Sequence, residues 1–323
     1  MIAAPSANDV RNDSTLHRFK DLLARLSDRP ALSLAVAHPC DALSLRSVVE
    51  VAEQGLVTPI LVGPEAKIRA VAADAKIDIS RYRLVDAPHS HDSALRAVAL
   101  VRSGEAVLLM KGSLHTEELL HAVMLADTGL RTERRLSHVY AMDVPSYPRL
   151  LLITDAVVTI APNLDDKRDI VQNAVELAHV IGIATPRVAI LAAVEVVNSA
   201  MQSTLDAAAL CKMTDRGQIT GAIVDGPLAF DNAVSLEAAK QKGILSNVAG
   251  RADILVVPDL EAGNMLAKEL TFLAGADAAG IVLGARVPII LTSRADSARA
   301  HVASCALAVL MIQARRVAGT AIL

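Results

Sequence analysis

From Ala31 onward the chain alternates short apolar runs with longer stretches in which apolar residues recur three and four positions apart. The first pattern suits buried strands and the second amphipathic helices. Ala31–Ala37, Thr58–Val62, Arg81–Val85 and Ala106–Met110 read as strands, and Leu43–Gln54, Glu65–Ala75, Ser93–Ser103 and Thr116–Ala126 as the helices between them. This βαβα rhythm predicts a mostly parallel sheet with helices on both faces. The core chemistry agrees. Among 323 residues there is no Trp and only three Phe and three Tyr, so Ala, Val, Leu and Ile must fill the interior. Parallel strands covered by Ala-rich helices have such cores. A helix over Leu16–Leu26 precedes the pattern, and the polar Met1–Asp13 stretch reads as a loose terminus.

The rhythm breaks between Gly129 and Pro148. Arg131, Arg134 and Arg135 cluster, Leu136–Val144 reads as extended, and Pro145 and Pro148 punctuate the segment. This marks a crossing into a second domain, and the length suits about two domains of roughly 100–200 residues each. Leu151–Thr154, Val157–Ile160, Arg187–Leu191, Thr220–Val224, Ile254–Val257, Gly280–Leu283 and Val287–Leu291 then read as strands. Helices are expected over Asp165–Ile181 and from Ala298 to Ile312.

Several functional classes are disfavoured. The formal charge is −3 and no basic stripe is present, which argues against nucleic acid as a partner. No uninterrupted apolar run reaches the roughly 18–20 residues of a membrane span, and Val302–Ile312 reads as a buried helix. Cys40, Cys211 and Cys305 are odd in number and far apart, as reduced thiols of a cytoplasmic protein would be. His89 and His91 lack neighbouring ligands, so no metal site is expected. Walker, dinucleotide-binding and nucleophile-elbow glycine motifs are missing.

Polar turns follow five of the expected strands: Lys111-Gly-Ser113, Pro162-Asn163-Leu-Asp165, Asp225-Gly226-Pro227, Pro258-Asp-Leu-Glu-Ala-Gly-Asn264 and Thr292-Ser293-Arg294. Ligands of open α/β sheets bind beyond the carboxyl ends of strands, so the five turns are expected to share one location. In the last turn, Ser293 and Asp296 match a helix start. Arg294 does not, because a cation faces the positive end of a helix dipole unless an anion sits there. A plain cap and an anion site both remain open. The other turns also have structural readings: Asp225-Gly226-Pro227 as a tight turn, Asp259 as a helix cap, Lys111 as a solvated charge. Gly263, inside a helix start where Gly costs about 0.5–1 kcal/mol, points to a close backbone approach to a ligand, with Asn264 beside it.

Taken together, Asp225-Gly-Pro-Leu-Ala229, Pro258–Asn264 and Leu291-Thr-Ser-Arg-Ala-Asp-Ser297 resemble the phosphate acetyl/butyryltransferase family. Leu136-Ser-His-Val139, Ile160-Ala-Pro-Asn163, Gln172–Ala178, Ala192–Asn198, Lys212–Gly217 and Asp231-Asn-Ala-Val234 extend the resemblance from about Ala31 to the C-terminus. It is closer to the butyryl branch. Ala300 stands where the acetyl branch carries an acid, and His121 where that branch carries an arginine. The resemblance implies two doubly wound α/β domains of isocitrate/isopropylmalate dehydrogenase-like topology flanking a cleft: residues 1–140, rejoined by 292–323, and residues 141–291. It also implies a homodimer or higher oligomer.

The implied reaction converts acyl-CoA and phosphate to acyl phosphate and coenzyme A, reversibly, on a short acyl group, butyryl or acetyl, with the branch resemblance favouring one longer than acetyl. Coenzyme A is a substrate, and no further cofactor or metal is implied. In that scheme Arg294 grips the phosphoryl group, Ser293 stabilises the oxyanion and Asp296 takes the thiol proton. Lys111, Asn163, Asp225, Gly226, Asn264 and Thr292 would bind substrate. Two other functions are weighed against it. A nicotinamide-dependent hydroxy-acid dehydrogenase needs a carboxylate cluster that Asp165, Asp166 and Asp253 do not evidently form. A non-catalytic acyl-CoA sensor has no need of Ser293, Arg294 and Asp296.

Overall fold

The computed structural model describes residues 17–26, 29–292 and 297–319. In its first half, α1 (His17–Ala24) precedes β1 (Leu32–Ala37), α2 (Ala42–Glu53), β2 (Val57–Gly63), α3 (Glu65–Asp74), β3 (Arg83–Asp86), α4 (Ser90–Arg102), β4 (Leu108–Lys111) and α5 (Thr116–Met124). There follow β5 (Ser137–Asp143), β6 (Leu151–Thr154), α6 (Leu164–Val180), β7 (Arg187–Leu191), α7 (Gln202–Asp215), β8 (Ile223–Leu228) and the short α8 (Phe230–Val234) and α9 (Leu236–Gln241). The chain closes with β9 (Ile254–Val256), α10 (Leu260–Phe272), β10 (Asp277–Leu283), β11 (Ile289–Ile290) and α11 (Ala298–Val317).

All these strands join one sheet in the order β3-β2-β1-β4-β11-β10-β5-β6-β9-β7-β8. The outer portions are parallel, as the alternating pattern requires. At the centre, β11 with β10, β10 with β5, and β5 with β6 are all antiparallel. Three reversals leave β6, β7, β8 and β9 running opposite to β1, β2, β3, β4 and β11.

Three local differences from the sequence reading have clear causes. Val157–Ile160 forms no strand, because the Asp155 carboxylate accepts from the N–H groups of Val157, Val158 and Thr159 and uses up the donors a ladder would need. The Asp225-Gly226-Pro227 segment is no turn between elements; it lies inside β8, whose register against β7 shifts there. The start of α11 is capped by Ser297, whose hydroxyl accepts from the Ala300 N–H; Ser293, read as a cap from the sequence, lies outside the described residues.

Helix α11 has the length and apolar character to cross a membrane, but Ala300–Ile312 are buried. It packs against β10, α2 and α1, and its many alanines permit close approach. A second apolar cluster, including Met142, Leu151, Ile153, Leu191, Leu228 and Leu255, fills the far half of the sheet.

Between α6 and α7, the Lys167 ammonium lies 2.7 Å from Asp206, and both side chains are buried. Gln202 donates to the other Asp206 oxygen at 2.8 Å. Removing one charge strands the other in a low-dielectric site. Asp206→Ala should therefore cost about 3–5 kcal/mol of unfolding free energy. The Lys167→Met/Asp206→Leu double variant should recover most of it. Chemical denaturation of the three proteins checks this.

Candidate active site

The carboxyl ends of β1, β4 and β11 stand in a row, because Ala37 pairs with Lys111 and Ile290 with Met110. The turn after β4 is locked onto the end of β1. Gly112 donates to the Ala37 carbonyl at 2.8 Å, and Ser113 donates to His38 through both its N–H and its hydroxyl. That hydroxyl also accepts from the Cys40 N–H at 3.1 Å. A Cβ on Gly112 would lie 2.5 Å from the Ala37 oxygen, so only glycine allows this approach. The buried Lys111 ammonium donates to the Gly112 and Leu114 carbonyls. Lys111 is therefore no solvated surface charge; it places a cation under the end of β4. Thr292, buried, is the second residue beyond β11 on the same row. Ser293, Arg294 and Asp296 lie outside the described residues.

His38 was not singled out from the sequence. It sits at the tip of β1 with φ +55° and its ring on the Ser93 hydroxyl at 3.1 Å. Burial, helped by the Lys67 charge, holds it below the usual histidine range. Nothing in a lone His-Pro pair announces a left-handed residue, so local sequence gives no signal for it. The three cysteines do not offer a nucleophile. Burial pushes the Cys40 and Cys211 thiols up to about 11 and Cys305 up to about 12, so all stay protonated at neutral pH.

The remaining candidates belong to the other run of parallel strands. Asn163, Asp225, Gly226 and Asn264 accompany β6, β8 and β9, whose carboxyl ends point the opposite way from those of β4 and β11. The two runs point in opposite directions, yet their carboxyl ends meet at mid-sheet: Ile290 pairs with Ile281, Ile281 with Val139 and Val139 with Thr154, so the ends of β11 and β6 lie on one row of the central ladder. Each of these residues also has local work. Asn163 and Asp166 form a reciprocal capping box at the start of α6. Asp225 accepts from the Gly226 N–H at 2.9 Å, and a Cβ on Gly226 would lie 2.7 Å from the Ile190 carbonyl. Asn264 donates to the Ala156 carbonyl. The close approach that Gly263 permits is to the chain's own Asp155–Ala156 backbone, with a Cβ there 3.0 Å from both the Asp155 carbonyl and the Ala156 Cα. Among the described residues, no group of three or more His, Cys, Asp and Glu is placed to hold a metal ion.

Comparison with known proteins shows the family. Residues 88–309 match the family model described as phosphate acetyl/butaryl transferase. A phosphate acetyltransferase of Rhizobium meliloti is 62% identical over 93% of this chain and 95% of its own length. A phosphate butyryltransferase of Clostridium beijerinckii is 45% identical over 91% of this chain and 97% of its own. Between these two, the greater identity is to the acetyltransferase. The crystal structure of a branched-chain phosphotransacylase from Enterococcus faecalis V583 superposes with TM-score 0.76 at 30% identity, over 87% of this chain and 99% of that one. A 4-hydroxythreonine-4-phosphate dehydrogenase from Klebsiella pneumoniae shares the fold alone, with TM-score 0.50 at 14% identity over 87% of this chain and 99% of that one.

Gly112→Ala should test the row of strand ends. The added methyl must push the Lys111–Ser113 turn off β1, and displacements near 1 Å in a reactive site cost up to about 10²-fold. We expect kcat/KM to fall at least tenfold with modest loss of stability. Unchanged kinetics would remove the turn from the site.

Proposed function

The chain belongs to the phosphate acetyl/butyryltransferase family, and we propose that its acyl transfer takes place at the row of strand ends formed by β1, β4 and β11. The protein is a phosphate acyltransferase, and acyl-CoA and phosphate are its substrates. One observation carries the placement. The pairing of β11 with β4 brings Thr292, and the chain leading into Ser293 and Arg294, alongside the buried Lys111 cation.

A phosphate oxygen attacks the thioester carbonyl, the carbonyl oxygen becomes an oxyanion, and the thiolate leaves. In reverse, the thiol of coenzyme A must lose its proton before attacking the acyl phosphate. Phosphate recognition favours a planar guanidinium with a second cation nearby, roles that suit Arg294 and Lys111. Ser293 supplies a donor to the oxyanion, and Asp296 accepts the thiol proton. Cysteines that stay protonated favour direct transfer over an acyl-cysteine intermediate. Asn163, Asp225, Gly226, Asn264 and Thr292 are the further substrate-binding residues of this reading, supported by the ends of β11 and β6 lying on one row of the central ladder. The enzyme uses no cofactor beyond coenzyme A as substrate, and it works in the cytoplasm.

Acetyl is the preferred acyl group, on the strength of the 62% identity to a protein named for acetyl transfer. The motif resemblance to the butyryl branch supports a pocket that also admits longer chains. A homodimer is supported by Met265, Phe272 and Leu273, apolar side chains left exposed along and just beyond α10. Sedimentation should accordingly give a dimer, and Phe272→Asp/Leu273→Asp should shift it towards monomer.

One assay series tests the chemistry. Arg294→Ala removes a charge-assisted grip worth about 1.5–3 kcal/mol. Phosphate KM should rise and kcat/KM should fall at least tenfold, while Arg294→Lys restores only part. In the wild type, kcat/KM at saturating phosphate should decline from acetyl- through propionyl- to butyryl-CoA. The decline should be graded, because one extra methylene changes recognition in a pocket by only about 1–3 kcal/mol. Normal phosphate kinetics in Arg294→Ala rejects the anion site; a butyryl value at or above acetyl rejects the acyl assignment alone.

A further inference from the structure

Strand β11 contains only two residues, and the way it ends is unusual. Ile290 pairs with Ile281, so in a continued ladder Leu291 would lie opposite Gly280. Instead, a Cβ built on Gly280 would lie 2.8 Å from the Leu291 carbonyl oxygen and also 2.8 Å from Nε2 of His138. The carbonyl and the imidazole therefore converge over the face of Gly280, in space that any other residue would fill. The Gly280 N–H donates to the Ser304 hydroxyl at 2.9 Å, and that hydroxyl donates to the Ala300 carbonyl at 2.6 Å.

His138 is built into this position from both sides. Its N–H donates to Asp155 at 3.1 Å, and its carbonyl accepts from the Thr154 hydroxyl at 2.8 Å. The Tyr140 ring stands edge-on to the imidazole with centroids 4.3 Å apart. The side chain is fully buried, and neither ring nitrogen makes a hydrogen bond of ordinary geometry. The Leu291 carbonyl interacts with the ring in a looser arrangement. Burial lowers the imidazole pKa to about 3, so it is neutral at working pH and takes no part as an acid or base.

We propose that His138 is a positioning residue for acyl transfer: its imidazole N–H holds the Leu291 carbonyl out of the ladder and so directs Thr292 into Ser293 and Arg294. This rests on the reading of Ser293 and Arg294 as the phosphate site. Without the imidazole donor, the buried carbonyl must find another N–H, and the nearest in the ladder is that of Gly280. Strand β11 would then lengthen by a residue at the expense of the Ser304 bond, turning the chain that follows.

The test compares His138→Leu, His138→Gln and Gly280→Ala with Arg294→Ala in the phosphate acyltransfer assay, with thermal unfolding recorded for each. Gln keeps a donor near the Nε2 position; Leu fills the space without one. His138→Leu should raise phosphate KM at least tenfold and lower kcat, with acyl-CoA KM changed less than about twofold. His138→Gln should recover most of the loss. Gly280→Ala, which wedges imidazole and carbonyl apart, should reproduce the defect. A general packing fault would instead move both KM values or only the unfolding temperature. Folded His138→Leu or Gly280→Ala with wild-type phosphate kinetics overturns the proposal. If Arg294→Ala alone is normal, the phosphate-site reading falls instead. Should neither variant fold, ¹⁵N spectra of the histidine-labelled wild type decide: the Nε2–H tautomer of His138 supports the proposal and the Nδ1–H tautomer overturns it.

Discussion

The seven-residue antiparallel pairing of β10 with β5 governs the rest of the structure. It couples two runs of parallel strands of opposite sense, and with the β11–β10 and β5–β6 pairs it decides which polar turns can meet. A sheet continued in one sense would gather all the strand ends on one edge. Here the ends of β11 and β6 arrive from opposite directions on one row of the central ladder, Ile290 through Ile281 and Val139 to Thr154. Because every strand is hydrogen-bonded to its neighbours, this meeting of strand ends is as firm as the sheet itself.

Packing follows from the scarcity of large side chains. Helix α11 buries Ala300, Ala303, Ala306 and Ala308, which lets it lie close to β10 and α2. Glycines allow similar closeness between backbones, at Gly112 against β1 and at Gly263 against Asp155–Ala156. Buried polar groups are then satisfied locally. Asp155 takes four backbone N–H groups, which oppose the upward push of burial on its carboxyl, and it thereby ties the loop after β6 to His138. The loop after β6, the middle strand β5 and the end of β11 thus form one connected support.

The chemistry of phosphate acyltransfer places modest demands on such a scaffold. It needs positive charge for phosphate, a donor for an oxyanion and a base for a thiol, all held still at one place. Backbone locked to backbone at the ends of β1 and β4 gives stillness more cheaply than long side chains could. The buried Lys111 ammonium, proposed as one such charge, is held by carbonyls from its own turn and lacks the mobility of a surface lysine.

Much of this was legible in the sequence because its signals are local. Alternating apolar periods located β1 to β4 and the helices between them, and ordered motifs identified the family. What could not be read depended on partners distant in the chain. Val157–Ile160 has strand composition, yet the Asp155 carboxylate takes its N–H groups. Asp225-Gly226-Pro227 has turn composition, yet it lies within β8. Gly263 signals a close approach, but only the packed α10 shows that the partner is Asp155–Ala156. His138 lies in a motif that marks the family, and its role at Leu291 depends on three strands meeting. Sequence determined the elements and the chemistry carried by the chain, because propensity and periodicity act between near neighbours. Tertiary structure alone decided which ends of the sheet face which way, because strand sense is set by hydrogen bonds between residues more than a hundred positions apart.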